Sequence, residues 1–229
     1  MRANEGRINI ARMKFFAVCI AVLIVSLTLI AVFSGTVGDR TNTNLTRVAC
    51  IGDSITELST YPHHLQTMLG TNYLVKEFGV TGSTVLTNSV TPYIDQEEFQ
   101  TAKEFLPNIV VILLGTNDAR EDHYQSIDNF VADYEQLVRE VQALESKPKI
   151  FLVKPPPIFD NEYLRNTNLL EGIIPRIEQV ANELSLTTID VYTPLANHPE
   201  YFMADGIHPN DEGATLIASE IYGECKLVV

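Results

Sequence analysis

The chain has 229 residues, 45% of them hydrophobic, and a formal net charge of −13. That length and apolar content suit one α/β domain with a sizeable core plus a short extra segment. The acidic balance argues against nucleic acid as a partner, because a surface of this sign repels polyphosphates.

The extra segment comes first. Residues 1–14 carry Arg2, Arg7, Arg12 and Lys14 against Glu5 alone, and Phe15 to Phe33 follows with only Ser26 and Thr28 polar among 19 residues. As a helix that run is roughly 28 Å long, against a hydrocarbon core of about 30 Å. The flanking positive charge predicts a cytoplasmic tail over 1–14, a membrane anchor over 15–33 and a catalytic domain outside the cytoplasm. A cleaved signal peptide ending near Val32-Phe33-Ser34 is the competing expectation, although its apolar part usually runs about 7 to 15 residues. Residues 1–40 hold five Lys/Arg and two Asp/Glu, so the rest of the chain carries −16. Residues 34–46, rich in Gly, Thr and Asn without apolar period, read as a linker, and 47–229 as the folded domain.

Within the domain, short runs at Val48 to Ile51, Tyr73 to Phe78, Ile109 to Leu114, Ile150 to Val153 and Thr187 to Val191, several of them rich in β-branched residues, predict strands. Helical patterns lie between them. Phe130, Tyr134, Val138, Val141 and Leu144 recur at steps of three and four, with Asp133, Glu135, Arg139 and Glu140 on other faces. Ile173, Ile177, Val180, Ala181 and Leu184 form a second stripe, in which Pro175 belongs to the first turn or marks a kink. Asn210 is a good cap for a last helix through Leu216, Ile217 and Ile221. Such alternation predicts an α/β fold: a parallel sheet of about five strands with helices on both faces and ligands bound outside the carboxyl ends of the strands. Cys50, inside an apolar strand, reads as a small buried hydrophobe.

Four motifs fall at those carboxyl ends: Gly52-Asp53-Ser54-Ile55, Gly79-Val80-Thr81-Gly82, Gly115-Thr116-Asn117-Asp118 and Asp205-Gly206-Ile207-His208. A serine hydroxyl needs an imidazole base held in one tautomer by a third group. Ser54, His208 and Asp205 are candidates for those roles. Asn117 offers a side-chain N–H₂ donor, Gly82 a backbone N–H that a substrate can approach, and Ser54 its own N–H at a helix start. Singly, each has a plainer reading as a helix cap or turn residue. Asp53 and Asp118 read as structural carboxylates bonding the loop backbone. His63, His64, His123 and His198 show no metal-ligand spacing, and neither a metal nor a cofactor is implied.

In order and strand placement, these four motifs resemble the SGNH, or GDSL-type, serine hydrolases. The resemblance covers Val48 to Tyr222 and implies a three-layer α/β/α hydrolase of flavodoxin-like topology. It further implies Ser54 as nucleophile, His208 as base, Asp205 as its orienter, and an oxyanion hole from Ser54, Gly82 and Asn117. Two departures stand out: Leu58 follows Glu57 where the family often has glycine, and Thr56 replaces the second glycine of a Gly-x-Ser-x-Gly elbow, which disfavours the ordinary α/β-hydrolase fold.

Gly82-Ser83-Thr84-Val85, the run Ile112 to Asp118, Lys147-Pro148-Lys149-Ile150 and Pro155-Pro156-Pro157-Ile158-Phe159 resemble carbohydrate O-acetylesterases, sialate O-acetylesterase-like proteins among them. The expectation is hydrolysis of short acyl esters, acetyl above all, on glycans or small molecules. The stiff segment 155–159 could wall an acyl pocket or be a plain surface loop, and Tyr124, Phe159 and Tyr163 could stack on sugars, with core packing the default for any one of them. The alternatives are a lysophospholipase or thioesterase, a glycan acyltransferase, or a silent carbohydrate-binding module; the intact Ser54, Asp205 and His208 set argues against the last.

Overall fold

A computed structural model describes residues 45–228. The tail, the apolar run at 15–33 and all but the last two residues of the 34–46 linker lie outside the described residues. Among the described residues, no helix is long and apolar enough to cross a membrane.

Five parallel strands form one sheet: β1 (Thr46–Gly52), β2 (Tyr73–Gly79), β3 (Ile109–Leu113), β4 (Lys149–Lys154) and β5 (Thr187–Asp190), in the order β2-β1-β3-β4-β5. The six main helices are α1 (Ser54–Leu58), α2 (Tyr61–Leu69), α3 (Glu97–Glu104), α4 (Phe130–Gln142), α5 (Ile174–Leu184) and α6 (Asp211–Cys225). Successive strand residues point to opposite faces, and here both faces are covered. Ala49, Ile51, Val110, Ile112, Ile150 and Leu152 pack under α3, α4 and α5. Val48, Cys50, Ile109, Val111, Phe151 and Val153 pack under α2 and α6. The central strands β1, β3 and β4 are therefore largely continuous apolar runs, while the edge strands β2 and β5 carry polar residues. The result is the expected three-layer α/β/α fold.

Helix faces follow the same logic. Phe130, Tyr134, Leu137, Val138 and Val141 are the buried residues of α4, and each large apolar side chain so buried contributes about 2 kcal/mol of transfer free energy. The helix ends at Gln142, so Leu144 reaches the core from beyond it. Asp133 bonds the backbone and hydroxyl of Thr87. Pro175 sits in the first turn of α5, but the chain arrives there through one wide π turn, Leu169–Ile173, preceded by a short helical turn Asn166–Asn168. Proline has no N–H to give to the carbonyl four residues back, and a widened turn at its approach relieves that mismatch. Cys50 and Cys225 are free and buried, and burial raises both thiols.

The sheet reverses its order between β1 and β3, since β1 leads outward to β2 on one side and the later strands extend on the other. In this strand order the crevice at the carboxyl ends of the two central strands is where ligands bind.

Candidate active site

Register brings the motif loops together. Gly52 pairs with Gly79 on one side and with Leu113 on the other, so the loops after β1, β2 and β3 leave the sheet edge side by side. Asp53 caps α1, its Oδ1 accepting from the Ile55 N–H at 2.9 Å. The cap is thus Asp53, and Ser54 takes the first helical position with its hydroxyl uncommitted to capping and its N–H without an intrahelical acceptor. α1 lies hard against the end of β2. A Cβ on Gly79 would stand 2.4 Å from the Glu57 nitrogen, so only glycine admits this approach. Glu57 then accepts from the Thr81 N–H at 2.6 Å, tying the nucleophile helix to the loop that carries Gly82.

Asn117 follows β3. One N–H of its side-chain amide donates to the Ser83 carbonyl at 3.0 Å, which aims the amide and leaves its second N–H for a ligand. Among the described residues the Gly82 N–H meets no protein acceptor. Asp118 lies beneath, accepting from the Val85 and Leu86 N–H groups at 3.0 and 2.9 Å. Asp53 and Asp118 are fully buried. Burial pushes Asp53 up to about 7, against the pull of the Ile55 hydrogen bond, with the Asp118 charge adding to the rise. Burial likewise pushes Asp118 up to about 6 despite its two backbone donors. The Thr116 hydroxyl lies near enough to favour the Asp53 anion slightly, yet Asp53 Oδ2 and Thr116 Oγ1 both lack a hydrogen bond of ordinary geometry.

The loop after β5 closes the other side. Gly206 adopts φ +69 and its carbonyl accepts from the Phe159 N–H at 2.8 Å, and a Cβ there would fall 1.5 Å from the Phe159 oxygen. Asp205 Oδ1 accepts from the backbone of Ile207 and His208 at 2.9 and 3.0 Å. Its Oδ2 is 2.7 Å from His208 Nδ1, and His208 Nε2 is 2.9 Å from Ser54 Oγ. Burial alone would raise the Asp205 carboxyl, but hydrogen bonds from the His208 ring and from the two backbone N–H groups hold it below its ordinary value. A carboxylate only accepts, so the shared proton lies on Nδ1 and Nε2 is left to accept from the serine.

Three of the other four histidines are bonded to protein groups, His64 to Asp211, His198 to Glu200 and His123 Nδ1 to the Asn117 carbonyl at 2.9 Å, and the fourth, His63, lies with its ring 6.2 Å from that of His64. Two of the three aromatics expected at sugars are used inside the fold. The Tyr124 ring packs where a side chain on Gly172 would stand, and Phe159 meets Phe202 edge-on at 5.0 Å. Tyr163 is 65% exposed. Two supporting residues had no sequence signal of their own: Glu57, which reaches across 24 positions, and Asn161, whose amide donates to the Asp205 carbonyl at 3.0 Å.

A 2-1-3-4-5 parallel sheet with a serine, a histidine and an aspartate linked by hydrogen bonds at its carboxyl edge defines an SGNH-type α/β protein. The chain belongs to the GDSL-like lipase/acylhydrolase family, whose model matches residues 50–216. It is similar to an acetylxylan esterase of Xylanibacter ruminicola, with 34% identity over 206 residues, 79% of this chain and 43% of that protein. The chain thus spans less than half the length of this curated relative. Two solved structures share the fold. A GDSL-like lipase from Bacteroides thetaiotaomicron has a TM-score of 0.64 at 22% identity, covering 87% of this chain and 96% of its own. A carbohydrate acetylesterase family member from Sinorhizobium meliloti has a TM-score of 0.63 at 20% identity, covering 80% and 98%.

Proposed function

We propose that the chain is a serine esterase that removes short acyl groups, acetyl above all, from carbohydrates through an acyl-enzyme on Ser54. The observation that carries this reading is the hydrogen-bonded line from Asp205 through His208 to Ser54, closed across 154 positions of sequence. Ser54 Oγ attacks the ester carbonyl while His208 Nε2 takes its proton. Asp205, ionised because its pKa is held down, keeps the imidazole in the accepting tautomer and stabilises the imidazolium that forms. Negative charge develops on the former carbonyl oxygen. The N–H groups of Ser54 and Gly82 and the second N–H of the Asn117 amide are its donors. Collapse expels the alcohol, protonated by His208. Water then attacks the acyl-enzyme, giving its proton to the same nitrogen, and the bond to Ser54 Oγ breaks as His208 returns that proton to the serine, releasing the carboxylic acid.

Acetyl and sugar as the two halves of the ester are supported by the 34% identical acetylxylan esterase. Ser54→Ala protein should release no acetate from p-nitrophenyl acetate or acetylated xylan while keeping its circular dichroism spectrum; activity equal to the unmutated protein would overturn the reading. The apolar run at 15–33 and the charge step across it support display of the site outside the cytoplasm, where polymeric glycans are met. Protease added to intact cells should then remove the activity, and resistance to it would argue for an internal site.

A further inference from the structure

Beside the site lies a cavity of about 230 Å³ lined by Arg120, Glu121, Asp122, Glu162 and Tyr163. Each of its walls is tied to a different part of the site. On one wall, the Arg120 N–H donates to the Asn117 carbonyl at 3.3 Å, the same carbonyl that takes the His123 ring N–H. On the other, Asn161 gives its amide N–H to the Asp205 carbonyl and accepts from the N–H groups of Tyr163 and Leu164, both at 2.9 Å. An isolated bridge between Arg120 and Leu164 and an ion pair between Arg165 and Glu121 at 2.9 Å join the walls. The cavity is therefore held between the loop that carries Asn117 and the loop that carries Asp205.

Its chemistry is mixed in a particular way. Tyr163 exposes an aromatic ring, a face suited to the apolar C–H side of a sugar, while its neighbours offer hydrogen bonds to a hydroxyl rim. The charges are arranged unevenly. Arg120 grips Asp122 with two nitrogens, at 2.8 and 2.9 Å, and Arg165 is taken by Glu121. Glu162 has no cationic partner among the described residues. A sugar bearing a carboxylate would find both guanidinium groups engaged and one unpaired carboxylate facing it, which is repulsive. A neutral sugar meets no such cost.

We infer that this cavity is the glycan subsite of the esterase, with Tyr163 as its stacking platform, and that Glu162 makes it select neutral acetylated sugars over carboxylate-bearing ones. The inference rests on the esterase reading, and its test separates the two. The measured quantities are kcat/KM on acetylated xylo-oligosaccharide, on O-acetylated sialic acid and on p-nitrophenyl acetate. Tyr163→Ala should lower the ratio of xylo-oligosaccharide to p-nitrophenyl acetate about tenfold, chiefly through KM. Glu162→Lys should raise the ratio of sialate to xylo-oligosaccharide about fivefold. Unchanged ratios in an enzyme that hydrolyses p-nitrophenyl acetate overturn the subsite and leave the esterase reading standing, and a preference of the unmutated protein for the sialate overturns the charge selection. A protein inert on p-nitrophenyl acetate overturns the esterase reading instead. Binding of unacetylated xylo-oligosaccharide to Ser54→Ala protein is independent of turnover. It should weaken about tenfold when Tyr163→Ala is added, and binding that persists undiminished overturns the subsite.

Discussion

The two sides of the site use aspartate in opposite ways. On the oxyanion side, Asp53 and Asp118 are fully buried, bond backbone N–H groups and have carboxyls raised to about 7 and about 6. On the acid-base side, the Asp205 side chain is 42% exposed and hydrogen bonds hold its carboxyl down. One pair shapes loops, and the single residue on the other side carries charge. Scaffolding carboxyls tolerate a proton because their task is to hold geometry, whereas an orienter must stay ionised to fix the imidazole. Stability and catalysis should therefore respond to different residues and to different parts of the pH scale.

The largest expected break is Asp205→Asn. An amide at this position can present a donor to Nδ1 and favour the tautomer in which Nε2 cannot accept, so kcat on p-nitrophenyl acetate should fall about 10⁴-fold with little change in the thermal midpoint. Activity within tenfold of the unmutated protein would remove Asp205 from the mechanism. Asp53→Asn tests the other side through stability. Asp53 has a folded pKa of about 7 against an ordinary value of 3.8, so the folded state holds a proton that the unfolded state loses first. Its contribution is fully present below about pH 4 and is lost as pH rises through about 7, with roughly 4 kcal/mol as an upper bound. Urea midpoints at pH 4 and pH 8 should differ less in Asp53→Asn than in the unmutated protein; equal differences would show that Asp53 titrates normally. Asp205 has the reverse sign. Its contribution is present above about pH 4 and fades as pH falls through its lowered folded value.

This division was half legible in the sequence. Both β1 and β3 announce themselves as β-branched runs because a strand buried on both faces has no polar positions to interrupt it. The motif residues could be placed at strand ends because the strands could be counted. Asp53 and Asp118 were readable as carboxylates that bond loop backbone, but their full burial depends on α1, on the Val85 and Leu86 loop and on α4 above them, which no local pattern encodes. The roles of Glu57 and Asn161 were silent for the same reason: each ties its own loop to a distant one by a hydrogen bond. For Tyr124 and Phe159 the default reading of an aromatic as a packing residue is the one the contacts support, and residue identity alone could not separate it from sugar stacking. The π turn before Pro175 escaped because proline marks where a regular helix fails without saying how the chain adapts.

Asn117→Ala comes next in size. It removes one oxyanion donor and should cost about 100 to 1,000-fold in kcat with KM changed little, because the charge it meets exists only in the transition state. A loss confined to KM would mean that the amide binds the ground state instead.

Gly206→Ala should have the smallest effect and is the most direct probe of the comparison, because it disturbs only the exposed side. The residue stands at φ +69, where an L side chain is strained, and the new methyl would meet the Phe159 carbonyl, whose own N–H is tied to the Gly206 oxygen. The loop must shift, and the shift carries Asp205 and His208 with it while Ser54, Gly82 and Asn117 stay on their buried supports. A displacement of about 1 Å at catalytic groups costs about 100-fold. Activity should fall by that order, whereas urea unfolding should show a loss of only about 1 to 3 kcal/mol, the cost of the strained backbone, because the core beneath β1 and β3 is untouched. If Gly206→Ala instead unfolds the protein at a much lower urea concentration, the acid-base loop is part of the structural core, and the division between a scaffolded side and a lightly held side fails.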